Sequence, residues 1–170
     1  MEVLGDGGDD PNVAVDEALL EVLSEGPWAG DFDLMQGLAG TAIYALERAH
    51  RRSGVAMLGR IVDRLAELST PVPAGRLWLT ISAQVPFYRA KERFPQVDCG
   101  VLHGQPGVLY VLAGAAAWGV ERAAALRDEG MRALLALGEE GGAGCFPARF
   151  AVERGPQPTD RNAWCYGDLG

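Results

Sequence analysis

The sequence predicts an all-α chain in which helical hairpins repeat as part of a ring, with short strands confined to the loops. Two observations predict it. Gly-x-x-Gly turns recur at Gly37–Gly40, Gly104–Gly107 and Gly167–Gly170, so successive turns start 67 and 63 residues apart. That interval fits a unit of two helices with their loops. The first two turns each open an apolar helix, and each apolar helix is followed by an amphipathic one. An inner layer covered on all sides and an outer layer exposed on one side would satisfy that alternation.

Residues 1–11 are acidic and glycine-rich and read as a flexible lead-in. The Asp6–Asp10 cluster lacks the alternating ligand register and closing Glu of a calcium loop. Asn12 is a candidate N-cap for a helix to about Glu25, with Val15, Leu19, Val22 and Leu23 inward and Asp16, Glu17, Glu21 and Glu25 outward. Gly26-Pro27 stops it. From Gly40 an apolar helix runs to about His50, and Ser53-Gly54 separates it from an amphipathic helix ending near Leu68. The stripe of that second helix is Leu58, Ile61, Val62, Leu65 and Leu68. Val108 to Trp118 is apolar all round and is expected to be buried on every side, with Pro106 tolerated near its start. Glu121 to Leu137 is amphipathic again, with Leu126, Met131, Leu134 and Leu135 inward. Leu77–Ser82 and Cys145–Val152 alternate or extend like strands, the latter held to a sheet edge by Pro147.

Composition narrows the function. At 170 residues one domain with a real core is expected. Apolar residues make up 48 %, charged residues 22 %, and the net charge is −8. With no stripe of Lys or Arg, nucleic acid is excluded as a partner. The N-terminus has neither the basic nor the apolar region of a signal peptide, and no apolar stretch reaches the length of a membrane span. Three cysteines, Cys99, Cys145 and Cys165, are an odd count and read as reduced cytoplasmic thiols or metal ligands.

Three residues at the thresholds of the glycine turns could carry chemistry. Cys165, between Trp164 and Tyr166, stands where a helix start would stabilise a thiolate. It can ligate zinc, act as a nucleophile, or simply pack beside Trp164. His103 is one of two histidines and stands at the mouth of the most apolar helix, as a proton-transfer group or a hydrogen-bonded core residue. His50, beside Arg51 and Arg52 at a helix C-terminus, suits the negative end of the dipole and needs no further role. Asp33 lies before the first turn, roughly where His103 lies before the second, and can orient an imidazole or cap the helix. Arg161 could hold a carboxylate or an enolate oxygen. Cys99, His103, Cys145 and Cys165 could together make a four-ligand zinc set, although no motif surrounds Cys99 or Cys145.

Asp33-Leu-Met-Gln-Gly37-Leu-Ala-Gly40, Gly100-Val-Leu-His103-Gly104-Gln-Pro-Gly107 and Trp164-Cys165-Tyr166-Gly167-Asp-Leu-Gly170 together resemble the lanthionine synthetase C-like (LanC-like) cyclases, over a span from about Asp33 to Gly170. The resemblance implies an α/α toroid, a double ring of helical hairpins, and a zinc-dependent cytoplasmic enzyme of lantibiotic biosynthesis. Such enzymes add a peptide cysteine thiol to dehydroalanine or dehydrobutyrine and close thioether rings in a dehydrated precursor peptide. A dehydratase is a candidate further partner. By the same resemblance Cys165 is a zinc ligand, His103 the acid–base residue, Asp33 its paired carboxylate, and Arg161 and Tyr166 the groups that steady the developing enolate. The family's remaining zinc ligands form an adjacent Cys-His pair, which this sequence lacks, and only 32 residues precede Asp33. The expectation is therefore a partial LanC-like domain over 12–170, truncated at both ends, prone to self-association and inactive alone. Two alternatives remain at this point: a LanC-like protein that adds glutathione to dehydrated residues, and a non-catalytic helical interaction module.

Overall fold

The computed structural model describes residues 10–80, 95–141, 146–152 and 155–157. Among them are five helices: α1 (Val13–Ser24), α2 (Leu38–Glu47), α3 (Arg52–Leu68), α4 (Gln105–Ala117) and α5 (Ala123–Gly141). Five short strands, β1 (Thr70–Val72), β2 (Gly75–Leu77), β3 (Gln96–Asp98), β4 (Arg149–Ala151) and β5 (Gly155–Gln157), occupy the connections. The fold is mostly helical with two small antiparallel sheets, a β1–β2 hairpin and a three-stranded sheet ordered β3-β4-β5. Helices α2 and α4 pack on one another. Each is backed by the helix that follows it, α3 or α5, and α1 lies on α3.

The two glycine turns are copies of one local structure. Gly37 caps α2 with φ −124° and ψ −163°, and Gly104 caps α4 with φ −128° and ψ −162°. Those angles suit any residue, so the need for glycine is steric. A Cβ on Gly37 would stand 2.5 Å from the Asp31 carbonyl, and a Cβ on Gly104 would run into the Asp98 carbonyl. Gly40 and Gly107 meet the carbonyls of Leu34 and Val101 in the same way. Each partner lies six residues upstream (37 − 31, 104 − 98, 40 − 34 and 107 − 101). The chain thus folds back on itself before each helix, and the Leu38 N–H donates to the Asp31 carbonyl at 3.1 Å. The Leu34 N–H then donates to the Leu102 carbonyl at 3.0 Å and ties the first turn to the second.

A buried Trp and a buried Gln fix the second unit. The Trp78 Nε1–H donates to the Leu65 carbonyl at 2.8 Å. The Gln105 amide donates to the Trp78 carbonyl at 2.7 Å and accepts from the Trp78 N–H at 3.1 Å. One side chain at the start of α4 therefore replaces a neighbouring strand for the backbone at Trp78, as a buried peptide group requires. Gly130 of α5 makes room for the indole, whose Cζ3 would be 2.9 Å from any Cβ there.

Several faces differ from those the sequence pattern predicts. On α1, Val15 and Val22 are 46 % and 50 % exposed, while Asp16 is buried beside Leu23. The cause is electrostatic. Asp16 accepts hydrogen bonds from Arg48 (Nη2, 2.6 Å), Tyr44 (Oη, 2.6 Å) and Ser53 (Oγ, 2.6 Å), which turns its face inward. Burial by itself would raise the Asp16 carboxyl; those hydrogen bonds outweigh it and hold the group below the usual carboxylate range. Asp10, paired with Arg48 and with Arg51 (2.9 Å), is lowered chiefly by the Arg48 hydrogen bond.

Helix α4 is not covered on every side, since Tyr110 stands 64 % exposed and Ala117 is exposed. On α5, Leu126 and Leu134 are buried as expected, whereas Met131 and Leu135 face outward and Ala133 and Leu137 take their place. Ser53 and Gly54 lie inside α3 rather than ahead of it, Gly54 letting the Arg48 carbonyl approach. The expected strand at Leu77–Ser82 begins earlier, as β2, and Thr80 only bridges to Gln96. Strand β4 is the central strand of its sheet: Pro147 falls before it, and Pro156 sits on the edge strand β5.

Two predictions follow from these contacts. Gly104→Ala is expected to lower the unfolding free energy by about 1–3 kcal/mol through overpacking. Gly59→Ala, inside α3 with open space around the added methyl, is expected to raise it by ~1 kcal/mol. Urea unfolding of both variants reads the two opposite signs, and a Gly104→Ala protein as stable as the parent would remove the close-approach argument. The second concerns acid. Asp10 and Asp16 have lowered pKa values in the fold, so the native state binds their protons less tightly than the unfolded chain does. Their contribution is present above the model value of 3.8 and is lost as pH falls through the lower native values. Unfolding midpoints measured down an acid series should drop in that range, and Asp16→Asn should flatten the drop.

Candidate functional site

The site forms where the two glycine turns meet. His103 Nδ1–H donates to Asp33 Oδ2 at 2.7 Å, and Asp33 Oδ1 accepts the Gln36 N–H at 2.7 Å. Asp33 therefore both caps its own turn and holds the imidazole of the next one. A carboxylate only accepts, so this bond makes Nδ1 the protonated nitrogen and leaves Nε2 as the atom that exchanges a proton. The side chains are 26 % (His103) and 12 % (Asp33) exposed, shielded yet open to a reactant.

The sequence expectation that Asp33 and His103 hold matching places needs adjustment. The offset of 67 residues that aligns Gly37 with Gly104 aligns Gln36 with His103 and Asp33 with Gly100. The two residues come together across adjacent turns, not by equivalence within them. His50 instead pairs its Nδ1 with the Glu47 carbonyl oxygen at 3.0 Å, as expected of a residue at a helix end. Cys165, Arg161, Tyr166 and Cys145 lie outside the described residues.

Two acids that residue-by-residue reading passed over stand at the same place. Asp31 and Asp98 each lie six residues before a cap glycine, and both line the cavity that Asp33 and His103 share. The repeated Asp-x5-Gly interval is the signal that could have found them. Asp98 is 2 % exposed; burial pushes its carboxyl up to about 6, against the pull of Arg149 and His103. Asp31 is also raised, first by burial and then by the charge of Asp33. Next to Asp98, burial pushes the Cys99 thiol up to about 12, so it stays protonated and is a poor metal ligand. Among the described residues no three His, Cys, Asp or Glu side chains are placed to hold a metal ion. The described part of the chain therefore does not by itself fit a zinc centre. Also among the described residues, no helix is long and apolar enough to cross a membrane.

No family model and no curated protein sequence matches this chain.

The raised carboxyl of Asp98 has a measurable consequence. Its folded pKa of about 6 exceeds the ordinary 3.8, so the native state holds this proton more tightly than the unfolded chain. Asp98 then favours folding at low pH, and that contribution is lost as pH rises from about 3.8 through 6. The linkage is worth roughly 3 kcal/mol. Asp98→Asn, which cannot ionise, is expected to gain on the parent by up to that amount between pH 4 and neutrality in denaturant titrations. A constant difference across that range would show that Asp98 is not held neutral by the fold.

Proposed function

We propose that this chain is a lanthionine synthetase C-like segment whose Asp33–His103 pair is the acid–base element of a thiol-addition site. The carrying observation is the 2.7 Å hydrogen bond between those two side chains, made across consecutive glycine turns. On this reading the two hairpins α2–α3 and α4–α5 are successive units of an α/α toroid. The near-identical cap geometry at Gly37 and Gly104 supports that arrangement, as does the packing of α2 on α4 with a following helix behind each.

The chemistry assigned to the chain's own residues is proton transfer. His103 Nε2 takes the proton from a thiol as sulfur bonds to the β-carbon of a dehydroalanine or dehydrobutyrine. The electron pair of the C=C bond moves onto the α-carbon and carbonyl as an enolate. The imidazolium then returns its proton to the α-carbon, so the thioether forms with no net gain or loss of protons. Asp33 holds the ring in the required tautomer and stabilises its protonated form through the transfer. Arg161 and Tyr166 would steady the enolate oxygen. Cys165 is the single zinc ligand the resemblance assigns, and no step here is routed through a metal.

Thiol addition to a dehydroalanine-containing peptide, followed by mass spectrometry, tests the reading. The chain should exceed the uncatalysed rate by the ~10²–10⁴-fold typical of one positioned acid–base group. His103→Ala should remove that excess, and Asp33→Asn most of it, without loss of fold by circular dichroism. Zinc measured in the same sample is expected below one ion per chain, since catalytic zinc takes about three protein ligands. A His103→Ala protein as fast as the parent would overturn the assignment.

A further inference from the structure

Beside the Asp33–His103 pair the fold encloses a cavity of about 20 Å³, room for one water-sized group. Asp31, Asp33, Thr80, Asp98 and His103 line it. Two buried polar atoms on that lining, Asp98 Oδ1 and Thr80 Oγ1, have no hydrogen-bond partner among the described residues. The Asp98 side chain is only 3 % exposed, and Arg149 Nε approaches its other oxygen, Oδ2, at 3.4 Å. A carboxylate oxygen so buried is costly to leave without a donor. The lining thus offers inward-facing acceptors and three carboxylates, a surplus of negative charge over the Arg149 guanidinium behind Asp98.

We propose that this cavity binds a primary ammonium group, with Asp98 Oδ1 and Thr80 Oγ1 as its inner acceptors and the Asp31 and Asp33 carboxylates around it. Size, charge and donor count all select this head. An –NH₃⁺ group is close to water in size and brings three donors to acceptors that lack them. A guanidinium is too large for the space. A quaternary ammonium is larger still and has no N–H to give. A divalent cation fits less well, since no three ligating side chains are placed around one point among the described residues. The head could come from a lysine side chain or from a chain's own α-amine. The site lies next to the proposed acid–base pair but needs no thiol addition, so it stands or falls separately from that reading.

Histidine NMR on the full chain provides the test. There are two histidines: His103 lines the cavity, whereas His50 is bound to the Glu47 carbonyl and serves as an internal control. Methylammonium chloride, added at constant ionic strength and slightly alkaline pH, is expected to move the His103 ring signals saturably. Half-saturation should lie on the order of 1 mM, the weak end expected of so small a ligand, while His50 stays still. Asp98→Asn should weaken binding by about tenfold or more, as loss of a charged acceptor does. Thr80→Val keeps the β-branched shape and the backbone bridge to Gln96, so it reads the hydroxyl alone and should weaken binding several-fold. N-acetyl-lysinamide and glycinamide carry the same head on a side chain and on a chain terminus, and the tighter of the two names the source. An unsaturable response, an equal response to tetramethylammonium, a response to magnesium alone, or unchanged binding in both variants would each overturn the proposal.

Discussion

Backbone pressed against backbone at Gly37 and Gly104 is the constraint from which the site follows. Neither position has room for a β-carbon, because the carbonyls of Asp31 and Asp98 occupy that space. The fold-back aims the Leu38 N–H at the Asp31 carbonyl, so one of the unpaired donors at the start of α2 is satisfied within the turn itself. It also brings the residues just before each helix close enough for the Leu34 N–H to reach the Leu102 carbonyl. That single backbone bond sets Asp33 within 2.7 Å of His103. Geometry at the reacting atoms is thus inherited from a steric fact about glycine several bonds away. A site built this way is rigid in the turn, where positioning matters, and it needs no long side chain to span the gap.

The same physics of buried charge produces two opposite outcomes in this molecule. Asp16 is as deeply buried as Asp98, each 2 % exposed. Around Asp16 stand Arg48, Tyr44 and Ser53, each donating to its carboxylate, so the ionised form is favoured in spite of burial. Around Asp98 the support is thin: Arg149 at 3.4 Å, the distant charge of His103, and one oxygen without a donor. Desolvation then wins. The first arrangement welds α1 to α2 and α3 and is closed to ligands. The second leaves an acceptor facing a cavity, and incomplete satisfaction of this kind is common where a protein binds or transfers something.

Which features were legible in the residues depends on what decided them. Helix α3 was readable because a single apolar stripe, Leu58–Ile61–Val62–Leu65, determines its buried face. The glycine turns and the apolar character of α2 and α4 were readable for a similar reason, since they are local. The face of α1 was not, because it is set by Arg48, more than thirty residues away, and no period within α1 announces that partner. Strand β3 was missed because its three residues carry no alternation of their own; all three are buried by pairing with β4. Asp33 and His103 stood out as polar residues at turn entrances. Asp98 did not, since a lone acid in a short extended segment looks like any loop residue until the cavity beside it is seen.

Repetition explains how one scaffold came to hold such different groups. Aligned at the cap glycine, Leu38 of the first unit corresponds to Gln105 of the second, and Gln36 to His103. Leu38 and Gln105 are both fully buried, yet Gln105 exchanges apolar packing for two hydrogen bonds that anchor Trp78. Ile43 and Tyr110, again 67 residues apart, are both exposed apolar side chains, so even the bare face of the helix recurs. The position six residues before the cap carries Asp31, then Asp98, and in the third Gly-x-x-Gly segment Arg161. Backbone geometry at that position is set by the glycine and does not depend on the side chain. Charge there can therefore be inverted from one unit to the next without disturbing the turn. A repeat protein can build an asymmetric site from such equivalent places, keeping the sterics constant while the chemistry at each place is varied independently.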